Sequence, residues 1–238
     1  MSQFLRLLVE DDKATALQTV CARLRQGEDD SRAFTVAPEA FDAVPGKPFS
    51  YWASNAVRET FQRLLAFESK GRTVKQGLAT ADDFRFVRGW WEVGPGGTAG
   101  KWFSLAKGGA YSPFYADVYL AVNWYKDGGE IKNNLNEKGG VRSNVWMLRD
   151  TAANFFLRPG LTWPLRTQQF GVRAMPADCI FGHKGPVAFN ESDDSNSLLA
   201  HLALMASRPF EALVELSLNA GDSTARSFEV GIIQKTPV

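Results

Sequence analysis

The sequence predicts an α+β protein with a β-rich central part flanked by N-terminal and C-terminal helices. Apolar residues recur at helical spacing near the N-terminus, short β-type runs broken by glycine and proline fill residues 84–189, and helical spacing returns after residue 195. With 238 residues, 45% of them hydrophobic, the chain is long enough to bury a substantial core.

The first predicted element is an amphipathic helix within residues 3–26, followed by Gly27 as a stop signal. Such a helix either packs on its own domain or docks on a partner chain, and we divide the chain into residues 1–30, which contain it, and residues 31–238. An extended segment then runs to Pro48, and Ser54 is placed to cap a second helix.

The β-rich core is predicted over about residues 84–189. Its candidate strands are Phe84–Val93, Lys101–Leu105, Val118–Trp124, Asn144–Leu148, Gly160–Trp163, Phe170–Ala174 and Cys179–Phe181. The glycine-rich run of residues 94–100 lacks the dinucleotide-binding spacing and is predicted to be a hairpin loop. Helical structure is predicted for residues 195–218 and a final strand for residues 227–236.

Several classes of function lack the residues they need. Cys21 and Cys179 are far apart, and with His183 and His201 they match neither zinc spacing nor a disulfide framework. No signal-peptide core or membrane span is visible, so we expect a cytoplasmic protein that is not bound to a membrane. No P-loop or nucleophile elbow occurs, and no catalytic motif was found; a small hydrolase with a dispersed active site ranks last among the function classes.

The charge of the chain is unevenly distributed. Residues 70–175 hold 15 Lys and Arg against 8 Asp and Glu, a net charge of +7, whereas the rest of the chain holds 12 against 18, a net charge of −6. A basic segment of this kind is either a solvated surface or the footprint of an anionic partner such as nucleic acid.

Many cations of the basic segment stand beside glycine or large aromatic residues. Glycine permits close approach to a phosphate backbone, Lys and Arg neutralise it, and rings offer stacking area. His183, between two glycines, is expected to contact a phosphate or face water. The candidate DNA-contacting residues are Lys75, Gln76, Arg85, Arg88, Lys101, Lys107, Gly108, Asn123, Trp163, Arg166 and Arg173.

A series of motifs over residues 41–238 resembles the region that follows the catalytic domain in large adenine-specific DNA methyltransferases, especially BREX-type phage-defence enzymes and their type II restriction-modification relatives. These motifs are Pro45–Trp52, Lys75–Leu78, Phe86–Arg88, Trp91–Val93, Lys101–Phe103, Lys107–Gly109, Asn123–Trp124, Gly160–Trp163, Phe170–Arg173 and Ser227–Ile233.

The resemblance implies that residues 31–238 are a target-recognition module for double-stranded DNA and that the helix in residues 1–30 is a candidate coupling element to the catalytic part. The catalytic Asn-Pro-Pro-Tyr signature and the S-adenosylmethionine motif of such enzymes are absent from the sequence. We therefore expect no cofactor in this chain, with S-adenosylmethionine bound on a separate catalytic domain or subunit that is a partner of the module. Lysines would position phosphates, while Arg88, Arg166 and Arg173 are candidates for reading base edges.

The main alternative is a protein-interaction module that binds an acidic partner, such as a DNA-mimicking inhibitor, through the N-terminal helix and exposed aromatic residues. Weak salt dependence and no DNA retention would favour this alternative.

Overall fold

The computed structural model describes residues 1–94, 100–218 and 226–238. Its strands are β1 Ser2–Leu5, β2 Ala33–Val36, β3 Thr73–Lys75, β4 Val87–Gly89, β5 Trp102–Ala106, β6 Leu120–Asn123, β7 Gly160–Thr162, β8 Arg166–Thr167, β9 Arg173–Met175, β10 Cys179–Phe181, β11 Val187–Phe189 and β12 Arg226–Ser227. Its helices are α1 Lys13–Arg25, α2 Asn55–Arg63, α3 Asp83–Phe86, α4 Tyr125–Lys132, α5 Arg149–Asn154, α6 Ser195–Met205, α7 Arg208–Ser217 and α8 Val230–Lys235. Short 3₁₀ helices cover Pro38–Ala43, Trp90–Glu92 and Val145–Leu148. The mixed α+β class predicted from sequence is confirmed.

Two four-stranded sheets form the centre of the protein. The first has the order β10-β5-β6-β4, with β10 parallel to β5 and the other pairs antiparallel. The second has the order β3-β11-β7-β9 and is antiparallel throughout. Two two-stranded ladders, β1-β2 and β12-β8, accompany these sheets, and isolated bridges such as Leu78–Gly182 add to the pairing in the described residues.

The second sheet separates two hydrophobic clusters. In β11, the side chains of Val187 and Phe189 belong to the cluster that contains the first sheet, which we call the first core. Ala188, between them, belongs to the cluster formed with α6, α7 and α8, which we call the second core. This division follows from the two-residue alternation of a strand, so each face of the second sheet covers a different core.

Residues 1–63 form a unit with its own aromatic cluster, which we call the N-terminal unit. The ring of Phe4 stacks on Tyr51 with centroids 4.8 Å apart and meets the edge of Phe41 at 5.7 Å. Asp30 joins α1 to β2, because its carboxylate pairs with Arg23 at 3.2 Å and with Arg32 at 2.8 Å. These hydrogen bonds to Arg32 hold the pKa of Asp30 well below its usual range.

The predicted helix of residues 3–26 is only partly correct. Its C-terminal half is α1, which begins where the Asp12 side chain accepts from the amides of Ala14 and Thr15. Residues 2–5 instead form β1, which pairs with β2 across the predicted boundary at residue 30. The domain division predicted at that point and the coupling role of α1 stay predictions.

Three other elements differ from the sequence prediction. Of the strand predicted over Phe84–Val93, only Val87–Gly89 is extended, because α3 begins where the Asp82 side chain accepts from the amide of Arg85, and Trp90–Glu92 form a 3₁₀ helix. Residues 145–148 form a 3₁₀ helix rather than a strand, and the preceding Asn144 side chain accepts from the amide of Ala79 and donates to the carbonyl of Gly77. The predicted final strand is α8 for most of its length, despite its β-branched residues. There Ile233 is fully buried in the second core, so tertiary packing overrides local propensity. The helices predicted within residues 195–218 are confirmed as α6 and α7; most of the loop predicted at residues 94–100 lies outside the described residues.

Candidate nucleic-acid interface

Three glycine-containing segments meet at one edge of the first sheet. Because β5 and β10 are parallel, their carboxyl ends lie together, and residues 107–109 and 182–185 follow them directly. The amide of Gly182 donates to the carbonyl of Ala106 at 2.7 Å, and the amide of His183 donates to the carbonyl of Leu78 at 2.9 Å. Residues 76–78, 107–109 and 182–185 therefore form one surface, which we call the glycine-loop edge.

Glycine is required where these segments touch. A Cβ atom on Gly77 would overlap the carbonyl oxygen of Phe181, and one on Gly108 would overlap the carbonyl oxygen of Lys184. A Cβ on Gly185 would lie 2.6 Å from the amide nitrogen of Gly108. Among the described residues, neither Gly108 nor the exposed Gly109 donates its amide to a protein acceptor. Backbone amides at such a turn are suited to binding an anion.

An open groove of about 490 Å³ runs along the glycine-loop edge. Arg166 and Lys184 both line it and are both exposed, and neither takes part in an ion pair within the described ranges. The other residues that line the groove are Gln76, Gly109, Pro164, Leu165, His183 and Glu229. The fold thus brings together three of the candidate DNA-contacting residues that are far apart in the sequence: Gln76, Gly108 and Arg166.

Lys107 lies at the same edge but is paired with a carboxylate. Its ammonium contacts the Asp83 carboxylate at the N-terminal end of α3, and Thr80 donates to the other oxygen at 2.7 Å. Burial raises the pKa of Asp83, but the hydrogen bonds from Lys107 and Thr80 outweigh it and hold that pKa below its usual value. Asp83 therefore stays ionised at neutral pH and offsets one positive charge of the groove.

A second group of candidates lies at the opposite end of β5. Lys101 precedes this strand and Lys107 follows it, so the two lysines are separated by roughly 20 Å at about 3.3 Å per residue. Lys101 pairs with Glu130 at 3.3 Å. The Asn123 amide and Lys101 lower the pKa of Glu130, and Arg85 adds a weaker attraction.

Arg88 belongs to this second group, and aromatic rings surround it. Its guanidinium donates to the backbone carbonyls of Phe84 and Val87 and lies 6.0 Å from the Trp102 ring centroid. Phe84 is 91% exposed, and Trp90 and Trp91 follow β4 with about three-fifths of their surface exposed. The rings offer stacking area, but the guanidinium already binds the protein backbone.

The remaining candidate residues make contacts within the protein. Lys75 pairs with Asp150 at 3.5 Å and lies over the Phe155 ring. Trp163 is fully buried in the second core, where its Nε1 donates to the carbonyl of Phe228 at 2.9 Å. A base contact through Trp163 stays a prediction, but it is one that this buried ring does not support.

Arg173 and Asn123 are buried as well. The Arg173 guanidinium donates to the carbonyls of Gly108 and Ala110, and burial lowers its pKa. Arg173 therefore holds the 107–110 segment in place, and its guanidinium donors are not free to bind a base edge. The Asn123 side chain accepts from the amide of Tyr125 at 3.2 Å and so caps the end of β6.

Sequence reasoning missed two residues of this surface. Lys184 lines the groove, and its signal was the Gly-His-Lys-Gly run in which only His183 was considered. Asp83 was not considered as a partner of Lys107, because the pairing joins two distant segments and leaves no local pattern.

Two further properties concern the described residues only. Nowhere in them do three or more His, Cys, Asp or Glu residues cluster in a way that could hold a metal ion. None of their helices is long and apolar enough to cross a membrane.

Comparison with known proteins gives two clear relatives. The chain is 28% identical over 211 residues to the adenine-specific methyltransferase PglX of Lacticaseibacillus casei, a match that covers 83% of this chain and 17% of that protein. It is 30% identical over 203 residues to the adenine-specific methyltransferase BrxX of Escherichia coli O9:H4, covering 80% of this chain and 15% of that protein.

This chain is a relative of one region of these adenine-specific methyltransferases. The resemblance described from the sequence motifs is thereby confirmed. The chain spans about a sixth of the length of these methyltransferases, at 17% and 15%. No protein-family model matches it.

Proposed function

We propose that this chain is a DNA-recognition module of an adenine-specific methyltransferase in a phage-defence or restriction-modification system. The observation that carries the proposal is the glycine-loop edge, where exposed cations and unpaired backbone amides converge on one groove. The similarity to PglX and BrxX supports it, because both are named adenine-specific methyltransferases. Methyl transfer, with S-adenosylmethionine, is assigned to a catalytic domain or subunit outside this chain.

Phosphates would be held by Lys184, Arg166 and the amides of the 107–109 segment. Glu229 also lines the groove, but neither Lys184 nor Arg166 forms an ion pair in the described residues, so both cations are available to a ligand. Neutralising each phosphate releases counterions, which gives DNA binding its steep salt dependence. The groove therefore supplies affinity and register.

Sequence reading needs side chains that reach base edges. Gln76 lines the same groove, and its amide offers the donor and acceptor pair that suits adenine. Arg166, an exposed residue of the β8-β12 ladder, is the other candidate for this role. Each would add about 1–3 kcal/mol of discrimination against a wrong base pair.

The test compares two double variants that remove the same charge. Fluorescence anisotropy of a labelled duplex is recorded over a salt titration for the wild type, for Arg166→Ala with Lys184→Ala, and for Lys13→Ala with Lys138→Ala. Lys13 and Lys138 are exposed and lie outside the groove. We expect the groove variant to lose affinity and to lower the slope of log K against log salt by about 2, because each phosphate contact contributes about 0.9.

Two results would overturn the proposal. One is that the wild type does not bind duplex DNA even at low salt. The other is that both double variants lose affinity equally, since binding would then depend on net charge and not on the groove. An acidic protein that displaces the duplex completely, when both are present at the same total negative charge, would favour the protein-interaction alternative.

A further inference from the structure

A second cavity of about 220 Å³ shares Gly109 and Lys184 with the groove and is otherwise lined by different residues. Its walls are mostly apolar, and its rim carries both charged and glycine residues. The walls include Leu105, Val118, Leu120, Ala174 and Met175; the rim includes Lys107, Gly108, Asp117 and Lys184. At roughly 30 Å³ per water molecule, it has room for about seven waters, and hence for one heterocyclic ring system.

Thr162 gives this cavity an unpartnered polar group. The residue lines the cavity and is 97% buried, and its Oγ1 has no hydrogen-bond partner among the described residues. Its neighbour Leu161 packs into the second core, so strand alternation directs the Thr162 side chain to the opposite face, where the cavity lies. Buried hydroxyls are normally hydrogen-bonded, so the Thr162 hydroxyl is available to a ligand that enters the cavity.

Arg173 fixes the rim of the cavity. It is directly opposite Thr162 in the β7-β9 pair. Its guanidinium donates to the carbonyls of Gly108 and Ala110, so the rim segment that carries Lys107 is tied to the floor of the cavity. The opening is thereby held in shape before any ligand arrives, which reduces the cost of binding.

We propose that this cavity binds a nucleobase together with its attached phosphate. Apolar walls suit the faces of a flat ring, and the Thr162 hydroxyl can donate to or accept from a base edge. At the rim, Lys184 has no ion-pair partner in the described residues and suits the phosphate, whereas Lys107 beside it is paired with Asp83. In a DNA-recognition module, the ligand is a nucleotide that has left the duplex stack, so this assignment rests on the proposed function. A free mononucleotide presents the same chemistry, and the experiment separates the two sources.

The experiment uses one blocking variant and one matched control. Ala116 is half-buried and lines the cavity, so Ala116→Trp should fill its opening. Ala177 is exposed and lines only the neighbouring depression, so Ala177→Trp adds the same side chain outside the cavity. Circular dichroism and thermal unfolding check that both variants fold.

Three probes are used with each protein. These are a fully paired duplex, the same duplex with one bulged adenosine, and deoxyadenosine monophosphate followed by saturation-transfer NMR, with inorganic phosphate as a competitor. We expect the wild type to bind the bulged duplex about tenfold more tightly than the paired one, because a bulged base spares the cost of unpairing. The Ala116→Trp variant should lose this preference and the mononucleotide signal while keeping its affinity for the paired duplex, and Ala177→Trp should keep both.

The outcomes distinguish this proposal from the proposed function. Equal affinity for both duplexes, with no mononucleotide signal in the wild type, overturns the cavity assignment and leaves DNA recognition standing. Absence of all DNA binding, with a mononucleotide signal that Ala116→Trp abolishes, supports the cavity as a free-nucleotide site and overturns DNA recognition. Displacement of the mononucleotide by inorganic phosphate at equal concentration reduces the site to an anion site and overturns the nucleobase assignment.

Discussion

Gly108 lies directly against the backbone carbonyl of Lys184, with no space for a side chain between them. Gly108 also has φ +86°, a left-handed conformation that favours glycine. The contact joins the segments that follow the parallel strands β5 and β10. It places Lys107 and Lys184 beside the groove and the cavity. One close backbone approach therefore determines the geometry of both candidate sites.

Replacing Gly108 should damage this edge more than replacing its neighbour. Gly109 has φ +106° but no atom within 4 Å of a built Cβ, so Gly109→Ala carries backbone strain without overlap. We expect Gly108→Ala to be less stable than Gly109→Ala by about 1–3 kcal/mol, the usual cost of overpacking. Urea denaturation of both variants measures the difference, and equal losses would mean that the contact with Lys184 relaxes freely.

The two ends of β5 should contribute unequally to DNA binding. Lys101 is paired with Glu130, whereas Lys184 has no ion-pair partner in the described part of the chain. We expect Lys184→Ala to lower the salt slope by about 1 and Lys101→Ala to lower it by clearly less. Anisotropy titrations at four or more salt concentrations check this, and a larger effect at Lys101 would move the interface to the other end of the strand.

Removing the partner of Lys107 should strengthen DNA binding. Asp83→Asn deletes one negative charge beside the groove and frees the Lys107 ammonium for a phosphate. We expect duplex affinity to rise several-fold at low salt, with a salt slope steeper by about 1. Glu137→Gln, an equal charge change at an exposed loop residue, serves as the control; the same gain in both variants would indicate a general charge effect.

The orphaned hydroxyl of Thr162 makes a prediction about stability. Thr162→Val removes a buried polar atom that has no partner in the described structure, so we expect stabilisation of about 1–2 kcal/mol. Thr80→Val should have the opposite effect, because the buried Thr80 hydroxyl donates to Asp83 at 2.7 Å. Urea denaturation without nucleotide gives both values, and destabilisation by Thr162→Val would show that the hydroxyl has an acceptor.

Cys179 should remain protected in the folded protein. Burial raises the pKa of its thiol to about 11, and Asp178 adds to the effect. The folded state thus holds the thiol proton more tightly than the unfolded state, so this contribution to stability is present below pH 9 and is lost as the pH rises towards 11. Alkylation at pH 8 followed by mass spectrometry should label the half-buried Cys21 first and Cys179 only on unfolding; early labelling of Cys179 would contradict its burial.

Local patterns predicted the elements that depend on local chemistry. The helices α6 and α7 begin at side-chain caps, Asp194 and Ser207, and carry apolar faces that any sequence reading detects. The strands β5, β6, β7 and β10 were also predicted from a local pattern, namely short β-type runs separated by glycine or proline. By contrast, α8 is rich in β-branched residues and is nevertheless helical, with Ile233 buried in the second core.

The candidate site was predictable in residue type more than in arrangement. Lys107, Gly108 and Arg166 were selected because cations and glycines alternate near rings, and the fold places them at one edge. The burial of Arg173 was not predictable, since its partners are carbonyls of a segment more than sixty residues away. Thr162 also gave no sequence signal, because an unpartnered hydroxyl is a property of the packed interior.

The second sheet, shared between two cores, has a consequence for how the protein unfolds. Loss of α6 and α7 would expose one face of β11, at Ala188, while Val187 and Phe189 on the other face still hold the first core. Residues 65–238 are therefore expected to melt in a single cooperative transition. A fragment cut at residue 190 would present an apolar sheet face to water and aggregate, so the groove and the cavity can be studied only with the C-terminal helices attached.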